Sequence, residues 1–479
     1  MPTILCVRPN PAELLPVCAE VFSRSVLKQL LADAQITAYW RVLTPLVILW
    51  ALIYQRLNAD HTCDAAVSYL RQGGADTLDP DDPHPQPLSR RLKSESTSAY
   101  VQGRQRFSLA VVHAALGVVL RCVQTWLAAE SATPAQTWHG HAVRLLDGTT
   151  FRMRPQGDLV TTYGQAKSQR GASYWVVAKS VAAFCLHTRL CVGYAEGSQQ
   201  MSEPALASSV MRQDPSPHSV YVGDRGLGVY RVAQVAHALG HAVVLRLETR
   251  TAKRLFRQVH DRGRLPSGAD DRVAWAPAPY TQVEPNLPAL PIVGRVIYVR
   301  LQRPGFRPVE MYLFTTLLDA TTYSVQELCA LYGLRWHVEL DYRKIKVTLA
   351  MAEFAVQSAA MFQLELAVGL LTYNLICAVM VQSTQRVGLS PWQLSFSRCW
   401  RRIREALTLG LPTWVEMQGM GTDYLLQQLA RCTLPRQRNK VAHEPRKVRS
   451  LWRSYPALQG DRNAARAKLL AEMSELPVS

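Results

Sequence analysis

Within Leu331 to Lys346, LYGLRWHVELDYRKIK, one carboxylate sits among bases and aromatics at helical spacing. At ~100° per residue, Tyr332, Arg335, Glu339, Arg343 and Lys346 fall within roughly 80° of arc. Leu331, Leu334, Val338, Ile345 and Leu349 gather on a separate arc centred roughly 110° away, which predicts an amphipathic helix with an apolar face for a core. Three basic groups around one acid, with a tyrosine and no balancing acid on that arc, suit a phosphate. The alternative is a solvated charged stripe with i,i+4 pairs.

Two further carboxylates lie upstream, each where an apolar run meets turn formers. HAVRLLDGTT reads as a short strand ending in Asp147, followed by Gly148 and two threonines. HSVYVGDRGLG is a β-rich run that reaches Asp224, then two glycines, then a helix. An aspartate in such a place is also an ordinary turn former. The glycines after Asp224 fit neither a Walker loop nor a dinucleotide fingerprint.

The order Tyr332, two residues, Arg335, three residues, Glu339, six residues, Lys346 resembles the signature helix of the insertion-sequence 4 family of DDE transposases. The resemblance covers about Ala142 to Arg453. It implies a ribonuclease-H-like core in which Asp147, Asp224 and Glu339 are the catalytic carboxylates and the metal ligands. Hard oxygen ligands select Mg2+ or Mn2+ over zinc. Two ions roughly 3.5 to 4 Å apart would activate a water or a 3′-hydroxyl and steady the leaving oxygen. The resemblance further implies that Tyr332, Arg335 and Lys346 hold DNA phosphate, with Arg343 at the basic position before the last lysine. The partners would be the transposon terminal inverted repeats and target DNA, bound by a homodimer. Ends would be cleaved through a hairpin and joined to the target. Hairpin formation unstacks a terminal base, and Trp275 is the aromatic considered for receiving it. The alternatives are a structure-selective nuclease on the same fold and a non-catalytic DNA-binding protein descended from a transposase.

The elements that would position these residues follow from texture along the chain. Residues 1–138 read as helices (Pro16 to Leu31, Trp40 to Leu57, Cys63 to Gln72, Ser98 to Glu130), forming an N-terminal DNA-binding domain. A proline-rich breaker leads there into Arg90, Arg91 and Lys93. This cluster is a DNA-contacting turn or a solvated linker. From 139 to 400 strands and helices alternate as in a ribonuclease-H-like α/β core. Asp224 and Glu339 lie 115 positions apart against 77 between Asp147 and Asp224. That excess, with its prolines, places a mainly β insertion at about 248–308. Residues 401–479 read as a helical, basic C-terminal region, and the motif TYNLI at 372–376 looks like another piece of the same family.

Lysine and arginine number 54 against 36 acids, a formal charge of +18, which suits nucleic acid. Residues 398–468 alone hold 15 bases and 5 acids. The ten cysteines form no CxxC pair and no zinc-like cluster, so they read as thiols in a reducing compartment. His113, Arg121, Glu365 and Asn374 interrupt the most apolar helices. The expectation is a cytoplasmic bacterial protein, nucleoid-associated when on DNA, with no membrane partner.

Overall fold

In a computed structural model, residues 6–7, 10–58, 60–129, 137–168, 171–259, 265–301, 309–434, 458 and 460–474 are described. They divide into two compact units, Met1–Val220 with Leu334–Leu434, and Tyr221–Gly333 with Pro435–Ser479. The chain is mixed α/β.

After a two-residue strand, β1 (Cys6–Val7), the first unit runs through α1 (Pro11–Leu14), α2 (Pro16–Phe22), α3 (Arg24–Asp33), α4 (Pro45–Leu57), α5 (Cys63–Arg71), α6 (Leu88–Arg91), α7 (Ser98–Arg106) and α8 (Leu109–Ala129). Three of the expected helices are shorter or split, for local reasons. Ser23 is extended and its hydroxyl accepts from Val26 N, so α3 starts anew after α2. Thr44 caps α4 in the same way, with Pro45 at its first position, so the helix begins there and not at Trp40. Phe107 is extended and separates α7 from α8.

A sheet follows, made of β2 (Val143–Met153), β3 (Gln165–Ser168), β4 (Gly171–Cys185) and β5 (Cys191–Ser198), with α9 (Leu159–Tyr163) and α10 (Glu203–Met211) in the connections. β2 pairs antiparallel with β4 from Arg144 opposite Cys185 to Met153 opposite Val176. β3 and β5 share the other edge of β4. The strand expected to stop at Asp147 therefore continues six residues beyond it. Phe151 and Met153 are buried and keep the period-2 alternation going, and Ala182 and Val181 of β4 pair with Asp147 and Gly148.

The second unit holds β6 (Val220–Gly223), α11 (Tyr230–Ala238), β7 (Ala242–Arg246), α12 (Thr249–Phe256), β8 (Ala269–Trp275), β9 (Ile292–Leu301), β10 (Val309–Thr315) and α13 (Val325–Gly333). Its sheet order is β6-β7-β10-β9-β8, antiparallel from β7 onward. Trp275 closes this unit's core. It is 1% exposed and meets the Phe314 ring edge-on at 4.7 Å. That corrects its candidacy as a receiver for an unstacked base: the indole is already enclosed.

The first unit resumes with α14 (Trp336–Arg343), a π-helical turn at Lys344–Thr348, β11 (Glu353–Phe354), α15 (Ala359–Gln385), α16 (Phe396–Leu409), β12 (Leu411–Pro412), α17 (Thr413–Met417) and α18 (Gly421–Ala430); α19 (Arg462–Ser474) belongs to the second. α8 and α15 are long and apolar enough to cross a membrane, but the apolar stretch of α15 is wholly buried inside the protein. It is apolar on every side because neighbours surround it. Its Glu365 receives Arg56 of α4 and Arg104 of α7, all three side chains being buried. The described cysteines are free thiols. The basic runs RQRNK, EPRKVR and WRSYP lie outside the described residues.

Candidate active site

The single helix expected over Leu331 to Lys346 is interrupted twice. α13 ends at Gly333, and His337 N and Val338 N bond back only three residues, to Leu334 O at 2.9 Å and Arg335 O at 3.1 Å. After Arg343 the ladder widens, with Leu349 N reaching Lys344 O at 3.1 Å, five residues back. The five polar residues are therefore not one uniform stripe. Tyr332 lies on α13 in the second unit, half-buried, and Asp224 is in that unit as well. Arg335, Glu339, Arg343 and Lys346 are in the first unit with Asp147.

Asp147 shares a strand face with Leu145 and Phe151. Opposite Leu145 in the ladder stands Phe184, whose ring meets Tyr342 of α14 edge-on at 5.3 Å, so α14 covers this face. The Tyr342 hydroxyl donates to the Asp147 carbonyl at 2.9 Å and locks helix to strand. Arg335 then comes within reach of two acids. One guanidinium nitrogen bonds Glu339 Oε1 at 2.7 Å and another stands 3.7 Å from Asp147 Oδ2. These side chains are 15% (Arg335), 18% (Asp147) and 35% (Glu339) exposed, so solvent reaches the cluster from the Glu339 side. Lys346 sits with its ammonium 5.4 Å from the Phe151 ring centre, and burial, then Arg152, lowers its pKa. Arg343 is exposed.

Asp224 follows directly after β6. Its Oδ1 accepts from Gly226 N at 2.9 Å and Leu227 N at 3.1 Å, so it does form the turn its neighbours announce. Gly228 has to lack a side chain, because a Cβ there would stand 1.9 Å from Arg246 O. Among the described residues no three His, Cys, Asp or Glu side chains are gathered as metal ligands. The cation beside Asp147 and Glu339 is the Arg335 guanidinium.

Several residues that hold this arrangement carry no local sequence signal. Asp341 of α14 is fully buried against Arg189, whose Nη2 and Nε donate to one carboxylate oxygen at 2.7 and 3.1 Å. Burial pushes the Asp341 carboxyl up while Arg189 pulls it down. Arg189 takes a left-handed backbone (φ 66°) in the β4–β5 turn and stacks over Trp392 at 4.3 Å. The motif at 372–376 completes the clamp. Tyr373 donates to Arg189 O at 3.1 Å, and Asn374 both donates to Cys191 O and accepts from Cys191 N at 2.8 Å. The motif itself was readable in the sequence, but its partners were not.

The basic cluster after the proline-rich breaker lines a cavity of about 580 Å3 with Trp40, Arg41, His84, Arg90, Arg91 and Lys93. Asp82 at its wall is neutralised by Arg91 and lies 3.7 Å from Arg24. Arg24 and Lys28 hold the Trp40 ring from 4.9 and 5.5 Å. Arg41, Arg90 and Lys93 are exposed and form no ion pair among the described residues.

A family profile described as the transposase DDE domain matches residues 138–375. The chain is 26% identical over 319 residues to the transposase InsG for insertion sequence element IS4 of Escherichia coli (strain K12), covering 65% of this chain and 68% of that protein. Among solved structures, a piggyBac transposase synaptic complex with hairpin DNA aligns with a TM-score of 0.41 and 11% identity, over 90% of this chain and 86% of that one.

Proposed function

Since this chain belongs to the insertion-sequence 4 family of DDE transposases and is a DNA transposase, we propose that Asp147, Asp224 and Glu339 are its metal-holding catalytic carboxylates. The observation that carries this reading is the Arg335 guanidinium standing between Asp147 and Glu339. Two half-buried acids that share one cation from their own helix form a site where positive charge is already required. The donors are all hard oxygens, so the fitting ions are Mg2+ or Mn2+, two of them. When bound, such ions supply an activated water or 3′-hydroxyl and stabilise the leaving oxygen of an in-line displacement at phosphorus.

The chain's own residues do the rest. Tyr342 fixes the height of the Asp147 backbone, and the buried Arg189–Asp341 pair fixes the rotation of α14, which together aim Glu339. Arg335, once relieved of its carboxylates, is free to hold a DNA phosphate with Tyr332, Arg343 and Lys346. The cavity beside Trp40 holds a backbone phosphate of the transposon end through Arg41, Arg90 and Lys93. On this reading the core is ribonuclease-H-like with a mainly β insertion. The enzyme acts as a homodimer on two ends in the bacterial cytoplasm, and cleavage proceeds through a hairpin.

The test uses the DNA flanking the gene, where short inverted repeats mark the ends. An oligonucleotide of one end, incubated with the full chain and Mg2+, should be nicked, closed to a hairpin, and joined to a target plasmid. Cleavage without joining would make the chain a nuclease; nicking and joining with no hairpin at any time would remove the hairpin step.

A further inference from the structure

Glu203, the first residue of α10, is so far without a task in holding metal or DNA. Asp147 and Gly148 are successive residues of β2 and so face opposite sides of the sheet. α10 packs on the Gly148 side. Lys179, which shares that side with Thr150 opposite it, donates to Met201 O at 2.8 Å just before the helix. A Cβ built on Gly148 would stand 3.0 Å from each Glu203 carboxylate oxygen and 2.8 Å from the carboxylate carbon. The carboxylate therefore lies against the bare backbone of the residue that follows Asp147, in a space any side chain would fill.

Glu203 is half-buried, and among the described residues its carboxylate makes no hydrogen bond or ion pair. Its charge reaches the same point as that of Asp147. Burial, then Asp147, with a further contribution from Glu203, holds the Tyr342 hydroxyl well above its ordinary range. An unpaired carboxylate beside another carboxylate is unfavourable unless a cation serves both. Two divalent ions carry four positive charges, and three carboxylates return only three negative ones.

We propose that Glu203 is a fourth carboxylate of the metal site, reaching β2 from the α10 layer through the gap at Gly148. The proposal rests on the assignment of Asp147 as a metal-holding residue, and its test separates the two. Mn2+ binding to the full chain is titrated by the electron paramagnetic resonance of free Mn2+, for the parent, Glu203→Gln, Gly148→Ala and Asp147→Asn, with near-ultraviolet circular dichroism to verify folding. Glu203→Gln should weaken Mn2+ binding by about tenfold or more, and Gly148→Ala should do the same by evicting the carboxylate. Parent-like affinity in Glu203→Gln overturns the proposal. If Asp147→Asn is weakened in that case, only Glu203 is removed from the site; if it too binds as the parent does, the assignment of Asp147 falls with it. Should Glu203→Gln fail to fold, Glu203→Asp replaces it, keeping the charge but drawing it back by one methylene. Parent-like affinity there is equally fatal.

Discussion

Arg335 and Glu339 lie one helical turn apart and meet at 2.7 Å, on the same guanidinium that approaches Asp147 to 3.7 Å. A residue engaged in this way competes with metal and serves DNA only when displaced. Arg335→Ala should therefore bind Mn2+ at least as tightly as the parent, yet accumulate nicked ends and form few hairpins. Lys346→Ala should share the hairpin defect, because only that step must hold an unstacked terminus. The assay is a labelled transposon end resolved on a denaturing gel over time. A hairpin-to-nick ratio equal to the parent's in both variants would return this helix face to the role of exposed ion pairs worth roughly 0.2 to 1 kcal/mol.

Catalysis should need all three carboxylates while binding does not, since loss of a metal ligand leaves the basic surface intact. Asp147→Asn, Asp224→Asn and Glu339→Gln should each abolish end cleavage in Mg2+ with end binding nearly unchanged. Any one of them that cleaves at more than a few per cent of the parent rate is not part of the site.

Binding should weaken steeply with salt, as a formal charge of +18 implies. Each phosphate neutralised by a side chain adds roughly −0.9 to the log-log slope on duplex DNA. Arg41→Ala, Arg90→Ala and Lys93→Ala should each flatten the slope by about that amount for every phosphate left unneutralised. A triple variant with the parent slope would make the cavity beside Trp40 a solvated surface.

Glu365→Gln should be the most destabilising polar substitution of the helical core. It leaves Arg56 and Arg104 buried without a counter-charge, which costs about 3–5 kcal/mol. Denaturant unfolding measures it, and a loss below about 1 kcal/mol would mean that water already compensates the two guanidinium groups.

Stability should fall as pH drops from about 6.5 toward 4. Burial, then Arg144, lowers the His187 pKa to about 4, and burial, then Arg189, lowers that of His337 to about 4. Both bases are thus neutral when folded but protonate near 6.5 when unfolded, so the unfolded chain binds more protons across that window. Thermal melts at pH 7 and pH 5 should differ less in His187→Gln than in the parent. An equal difference would clear His187 of the effect.

What could be read from the sequence was what local pattern decides. Alternating apolar residues marked β4, β5 and β7, and the glycines after Asp224 marked its turn. The extent of β2 was hidden, because Asp147-Gly148-Thr149-Thr150 has the composition of a turn and only the ladder to β4 keeps it extended. The break between α13 and α14 and the π-helical turn were hidden too, since a helical wheel assumes 3.6 residues per turn throughout. Arg189 meets Asp341 across 152 residues and Asn374 meets Cys191 across 183, distances at which no spacing rule operates.

Arg56 and Arg104 wait for a counter-ion that lies 309 and 261 residues further along the chain. At about 5–20 residues per second of synthesis, the opening helices emerge from the ribosome on the order of ten seconds to a minute before α15 exists to receive them. Throughout that interval the apolar sides of α4 and α8 have no permanent cover, so the nascent chain is a client for chaperones until its last third is made. A message cut short before residue 359 would then yield an insoluble fragment, not a free-standing competitor for the transposon ends.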